Sequence, residues 1–283
     1  MRQPQVNNPY LIDQIRIMQK QERNAYKCYD YMNSLKATVS ESDRQALCNW
    51  GYKTIAACHC VDRSTAVVAF SYFDRFMSTS NPSAKRALVH IHDYQLALVT
   101  CLVIALKVHS GFKVELDFVS SVVCSNQYEA EEIIEMEKQV LEALQWRVNG
   151  PTPHDFIDCF IEVIQPMERI HIDFLTRFSK ALAEFSVTRY SIALQAPSAI
   201  AFASVLCALQ YLDSMSSIDN LSFRHQLEMV SGMNADDPSV RALCKRMLCL
   251  MQMSSSHQNE SVEIQTDDGS LSVSSEDSPT TVW

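Results

Sequence analysis

The chain has 283 residues, 47% of them hydrophobic, a formal net charge of −9, and only 5 glycines where average usage of about 7% would supply roughly 20. So few glycines, scattered at Gly51, Gly111, Gly150, Gly232 and Gly269, argue against a many-stranded barrel and against the GxGxxG and GxxxxGK loops that cradle phosphates. The negative charge argues against dedicated binding of nucleic acid or an anionic membrane, both of which need a basic face, and an all-α fold is expected.

The first helical pattern runs from about Tyr10 to Leu35, with Ile12, Ile15, Met18, Tyr26, Tyr29 and Met32 at helical spacing. Ser40 or Ser42 then offers a cap, with Glu41 and Asp43 near the positive end of the next helix. That helix carries Ala46, Leu47, Trp50, Thr54, Ile55 and Cys58, and the next covers about Arg63 to Ser78 before an Asn81-Pro82 turn. The pattern from Asp93 to Val108 is apolar nearly all round, as a helix buried on most sides must be. Its strongly apolar core, Leu96 to Leu106, is shorter than the roughly 20 residues that a bilayer span requires. A short segment at Val114–Val123 and a long one at Asn126–Gln145 complete this half.

Trp146 to Pro153 interrupts the pattern with one Gly and two Pro. Five more helices are expected at about 153–164, 169–190, 197–212, 221–230 and 237–252. In each half the third member is the most apolar, Leu96–Leu106 and Ala199–Leu209, which reads as a weak duplication of about 100 residues. The expected organisation is therefore an N-terminal helical segment over 1–38, five-helix units over 39–148 and 149–253, and a tail over 254–283. The tail holds 9 Ser, 3 Thr, 6 acidic residues and no Lys or Arg, the composition of a disordered segment. It leaves −9 − (−6) = −3 on residues 1–253.

Some charges break the amphipathic pattern. Arg44 lies on the apolar face of its helix, and Asp74 lies within Phe70-Ser-Tyr-Phe-Asp-Arg-Phe-Met77. A buried charge is tolerable when paired, so these two are predicted to pair and fix the crossing of their helices; spacing alone equally allows two independent solvated charges. Glu137 sits inside the stripe Ile133, Val140, Leu141, Leu144, and Lys107 closes the apolar helix. On periodicity alone, Glu137 reads as the edge of the stripe and Lys107 as a complement to the helix dipole.

Asp43-Arg44 through Trp50, Tyr72-Phe-Asp-Arg-Phe-Met-Ser78, Leu102-Val-Ile-Ala-Leu-Lys107 and Glu135-Met-Glu137-Lys-Gln-Val-Leu-Glu-Ala-Leu144 resemble, in order and spacing, the successive signatures of the cyclin box. Leu144-Gln-Trp-Arg-Val-Asn-Gly-Pro-Thr-Pro-His-Asp-Phe-Ile157 is similar to D-type cyclins, and the region around Leu194-Gln-Ala-Pro-Ser-Ala-Ile200 to the C-terminal cyclin fold. The resemblance implies two tandem cyclin folds and a non-catalytic, activating subunit of a cyclin-dependent protein kinase, acting in cell-cycle progression at G1/S, in the nucleus or cytoplasm. It implies that Lys107, Glu137 and Leu141 contact the kinase, that Arg44 and Asp74 form the internal ion pair, and that Tyr26–Leu35 belongs to an N-terminal helix touching the kinase.

Kinase substrates or inhibitors are further implied partners. Leu47, Trp50 and Gln95 match the family's substrate-docking patch, but Asp43 and Ala46 replace its Met and Ile, and Lys53 replaces its Glu. Recognition of Arg-x-Leu peptides is therefore expected to be weak or altered. Val108-His109-Ser110 stand where the family carries an aromatic or Met and then acidic residues.

Other signals point to little chemistry. No apolar stretch follows Met1-Arg2, so no secretory signal is expected, and the 10 cysteines read as reduced small hydrophobes. Cys58-His59-Cys60 are adjacent on a helix and cannot converge on one ion, so neither a metal nor another cofactor is expected. Ser278-Pro279 is a minimal proline-directed phosphorylation site. Two other readings compete: a transcription- or signalling-type adaptor on the same fold, and an all-helical enzyme, which the missing nucleophile and phosphate motifs disfavour.

Overall fold

The computed structural model describes residues 9–33, 37–59, 61–111, 113–163, 167–215 and 220–260. Among them are helices and turns and no strand. One compact unit holds Ala25–Gly150 together with Val187–Leu194; the other holds the described parts of Met1–Asn24, Pro151–Ser186 and Gln195–Leu271.

The first unit is built on α2 (Glu41–Ala57), α3 (Ser64–Met77), α4 (Pro82–Ala87), α5 (Ile91–His109), the short α6 (Leu116–Phe118) and α7 (Ala130–Ala143). A capping box starts α2: Ser40 Oγ accepts from the Asp43 amide, and Asp43 accepts from the Ser40 amide at 2.7 Å. Asn81 caps α4 over Pro82, so the expected turn is one short helix. The centre of the unit is α5, against which α2, α3, α4 and α7 pack. Every residue from Tyr94 to Ala105 is buried, and this is why the sequence shows no polar face there. By length and composition α5 could cross a membrane, although its most apolar core alone could not, yet most of it is buried inside the fold as a core helix. Close packing depends on Gly51 of α2, where a Cβ would fall 3.0 Å from the Phe70 ring.

The second unit comprises α1 (Pro9–Asn24), α8 (Pro153–Val163), α9 (Arg169–Val187, whose last residue clusters with the first unit), α11 (Pro197–Met215), α12 (Asn220–Ser231) and α13 (Pro238–Glu260). Its centre is α11, with α8, α12 and α13 around it and α1 against α8 and α12. The small element α10 (Tyr190–Ala193) belongs to the first unit. The helix α13 passes through Ser254, where the composition changes, and continues to Glu260; the rest of the acidic tail lies outside the described residues.

The N-terminal helix differs from the expected one, ending at Asn24 rather than near Leu35. The cause is where the following amides go. Tyr29 N–H donates to Ser78 Oγ at 3.0 Å, and the N–H groups of Tyr31 and Met32 both donate to the Tyr190 hydroxyl, at 2.8 and 3.1 Å. Amides bound to distant side chains cannot close the i→i−4 ladder of a helix.

Candidate functional site

Arg44 and Asp74 meet inside the first unit. Arg44 Nε donates to Asp74 Oδ1 at 2.7 Å and Nη2 to Oδ2 at 2.6 Å, a bidentate pair in which Arg44 is fully buried and Asp74 is 4% exposed. Nη1 donates to the carbonyls of Val187 and Thr188, at 3.0 and 2.9 Å, and the Tyr31 hydroxyl donates to Asp74 at 2.8 Å. One guanidinium thus joins α2, α3 and the segment before α10. Burial alone would lower the Arg44 pKa; Asp74 outweighs it and the net direction is up. Burial, with Asp74 beside it, pushes the Tyr31 phenol up, so the hydroxyl stays protonated and donates.

On the surface, the last turn of α5 meets the middle of α7. Lys107 Nζ donates to both carboxylate oxygens of Glu137, at 2.9 and 2.7 Å. Ile133, Met136 and Val140 fill the buried side of α7, which leaves Glu137 at the edge of the stripe and Leu141 half-buried one turn on. Ile134 is 51% exposed on the preceding turn. The result is a narrow apolar strip carrying two opposite, mutually oriented charges. A pair so accessible contributes at most about 1 kcal/mol to stability, and its significance lies in what it presents.

Of the residues after Lys107, Val108 is exposed and His109 reaches a partner on α3. Tyr72 donates its hydroxyl to the Val148 carbonyl and lies 2.9 Å from His109 Nε2. With the phenol proton committed to Val148, His109 must donate from Nε2.

The substrate-patch residues are arranged differently from a surface recess. Leu47, Trp50 and Gln95 are buried, and only Lys53 is exposed. Gln95 Oε1 accepts from Gln127 Nε2 at 3.1 Å and from the Tyr128 hydroxyl at 3.2 Å, so its amide is used within the unit. Trp50 does line an apolar cavity of about 290 Å³ between α2, α5 and the segment Lys113–Val123. Of the earlier candidates, Cys60, Leu35 and Ser278 lie outside the described residues, and among the described residues no cluster of His, Cys, Asp and Glu could hold a metal ion.

Sequence reasoning missed Tyr31 and the carbonyls at 187 and 188 as partners of the ion pair, and Tyr190, whose ring centre lies 6.0 Å from the Arg44 guanidinium. It also missed Glu22, buried in α1, whose carboxylate accepts from Ser198 N at 2.9 Å and Ser198 Oγ at 2.5 Å. Glu22 had a readable signal, because it continues the buried stripe Leu11, Ile15, Met18.

The helical fold agrees with the comparisons. The pattern described as the N-terminal domain of cyclins matches residues 13–149, and that of the C-terminal domain matches residues 151–276. The chain belongs to the cyclin family. Among its relatives, human G1/S-specific cyclin-D1 is 25% identical over 237 residues, 83% of this chain and 76% of the relative. A putative cyclin-A3-1 of Arabidopsis thaliana is 27% identical over 208 residues, 72% of this chain and 55% of the relative. The solved structure of a viral cyclin from herpesvirus saimiri superposes with a TM-score of 0.64 at 16% identity, covering 86% of this chain and 99% of that one. That likeness is one of fold.

Proposed function

We propose that the chain is the regulatory subunit of a cyclin-dependent protein kinase, which it binds and activates without catalysis of its own, and that it acts in cell-cycle progression at G1/S. The observation that carries this reading is the Lys107–Glu137 pair on the exposed α5–α7 edge, flanked by Ile134 and Leu141. Apolar surface marked by complementary charges is how an interface fixes both affinity and register. Seated against the regulatory helix of a kinase, such a strip holds that helix where the kinase's own Lys–Glu pair and metal-binding Asp align for phosphoryl transfer. The printed name of the D-type relative supports the G1/S assignment, and the nucleus and cytoplasm are the compartments in which such a subunit would work.

The test exploits the fact that the two charges face each other. Exchanging them, Lys107→Glu with Glu137→Lys, keeps an intrachain pair and reverses the field a partner meets. A kinase that co-purifies with the wild-type chain should be lost from the exchanged variant; equal recovery and equal kinase activity would overturn the reading.

A further inference from the structure

Two thiols of the second unit are held together. Cys207 is 1% exposed on α11, and Cys244 is half-buried on α13. Cys207 Sγ lies 3.8 Å from the Cys244 carbonyl, and Cys244 Sγ lies 3.7 Å from the Ala203 carbonyl, one turn before Cys207. The two thiols share this contact of α11 with α13, and each perturbs the other unequally. The neighbouring Cys207 thiol lowers the pKa of Cys244, and Cys244 together with burial raises that of Cys207.

Access is unequal as well. Cys244 lines a cavity of about 660 Å³ between α11, α12 and α13 whose other lining groups include Arg224, Arg241, Lys245, Asp213 and Asp236. Cys207 does not line it. A small solute in the cavity therefore reaches Cys244 and not Cys207, the more buried of the two. Cys249 lines the same cavity and is exposed, so it is the competing thiol there, whereas the buried thiols elsewhere are poor competitors. Burial pushes Cys28, Cys48 and Cys124 up to about 12 and Cys159 to about 11, which keeps them protonated and weakly nucleophilic.

We propose that Cys244 and Cys207 are a peroxide-reactive pair, in which a hydroperoxide oxidises Cys244 and Cys207 resolves the product to a disulfide joining α13 to α11. The Cys244 thiolate attacks the outer oxygen of the hydroperoxide; an S–O bond forms, the O–O bond breaks, and the alcohol, or water from hydrogen peroxide, departs. The sulfur has lost two electrons and is now a sulfenic acid. The Cys207 sulfur then attacks it, the S–S bond forms, and hydroxide leaves with the Cys207 proton as water. In total two thiols and one hydroperoxide give a disulfide, an alcohol and water.

The experiment is peroxide treatment of the full chain, alkylation under denaturing conditions, and non-reducing tryptic mapping. Trypsin cuts after Arg241 and Lys245, which places Cys244 in a fragment of its own and Cys249 in another. The expected result is a loss of two alkylatable thiols from the 10 present and a disulfide between fragment 242–245 and the fragment carrying Cys207. Cys207→Ala should stop the reaction at a Cys244 sulfenic acid that dimedone traps. If Cys244 stays as alkylatable as Cys249 after peroxide, or links instead to Cys249 or to a second copy of the chain, the proposal is overturned. The wild-type map decides the matter without a variant and without a kinase.

Discussion

Replacing Arg44 by Met severs four hydrogen bonds at once, two to the Asp74 carboxylate and one each to the carbonyls of Val187 and Thr188. Asp74 is then a carboxylate only 4% exposed, left with the Tyr31 hydroxyl as donor. Removing one partner of a buried pair costs about 3–5 kcal/mol. With a urea dependence of about 2 kcal/mol per molar, a loss of about 4 kcal/mol lowers the unfolding midpoint of this unit by about 2 M. Trp50, buried on α2, reports the transition through its fluorescence. Adding Asp74→Leu removes the stranded charge but not the two orphaned carbonyls, so stability returns in part, with a coupling energy of about 2 kcal/mol or more. An unchanged midpoint in Arg44→Met, or strictly additive effects in the double variant, would refute the reasoning that the pair exists to neutralise a buried charge.

Other substitutions probe independent features. Lys107→Met should change thermal stability by no more than about 1 kcal/mol, because the pair with Glu137 is solvent-accessible; a larger loss by calorimetry would assign the pair a structural role. Burial, opposed by the Ser198 hydrogen bonds, raises the folded pKa of Glu22 above its ordinary 4.5. A raised carboxyl stabilises the fold below pH 4.5 and loses that contribution as pH climbs toward the folded value. The stability of wild type relative to Glu22→Gln should therefore decline as pH rises from 4.5, and a difference that grows instead would contradict the shift. In Gly150→Ala the new Cβ would press on the Tyr26 ring, 2.8 Å from Cε1, where the ring stacks 4.6 Å from the Arg75 guanidinium. Unfolding should show a loss of about 1–3 kcal/mol, and in a Tyr26→Ala background the same change should cost distinctly less.

Arg44 and Asp74 were legible in the sequence because charges inside apolar patterns must be compensated; Arg75, buried beside Asp74 in the same run, carries the same signal and donates to the Arg147 carbonyl. The central helices α5 and α11 were legible for a similar reason: a helix without a polar face has to be surrounded. The end of α1 was not. Tyr26, Tyr29 and Met32 keep helical spacing, but the amides there are claimed by Ser78 and Tyr190, more than forty and more than a hundred and fifty residues away. Local periodicity carries no trace of such partners. Gln95 was matched to the docking patch by resemblance alone, and local pattern gave no sign that Gln127 and Tyr128 hold its Oε1 in the interior. Lys107 and Glu137 could be singled out individually, but only the packing of α5 on α7 brings them within 2.7 Å.

The docking strip is tested most directly by titrating the captured kinase with wild-type chain, with Lys107→Glu, and with the Lys107→Glu, Glu137→Lys exchange. If the strip seats the kinase, both variants should bind about 100-fold more weakly, a loss of about 3 kcal/mol, while the exchanged chain unfolds at the wild-type temperature. Affinities within about twofold of wild type for the exchanged chain would mean that the kinase, if bound, is held elsewhere on the molecule.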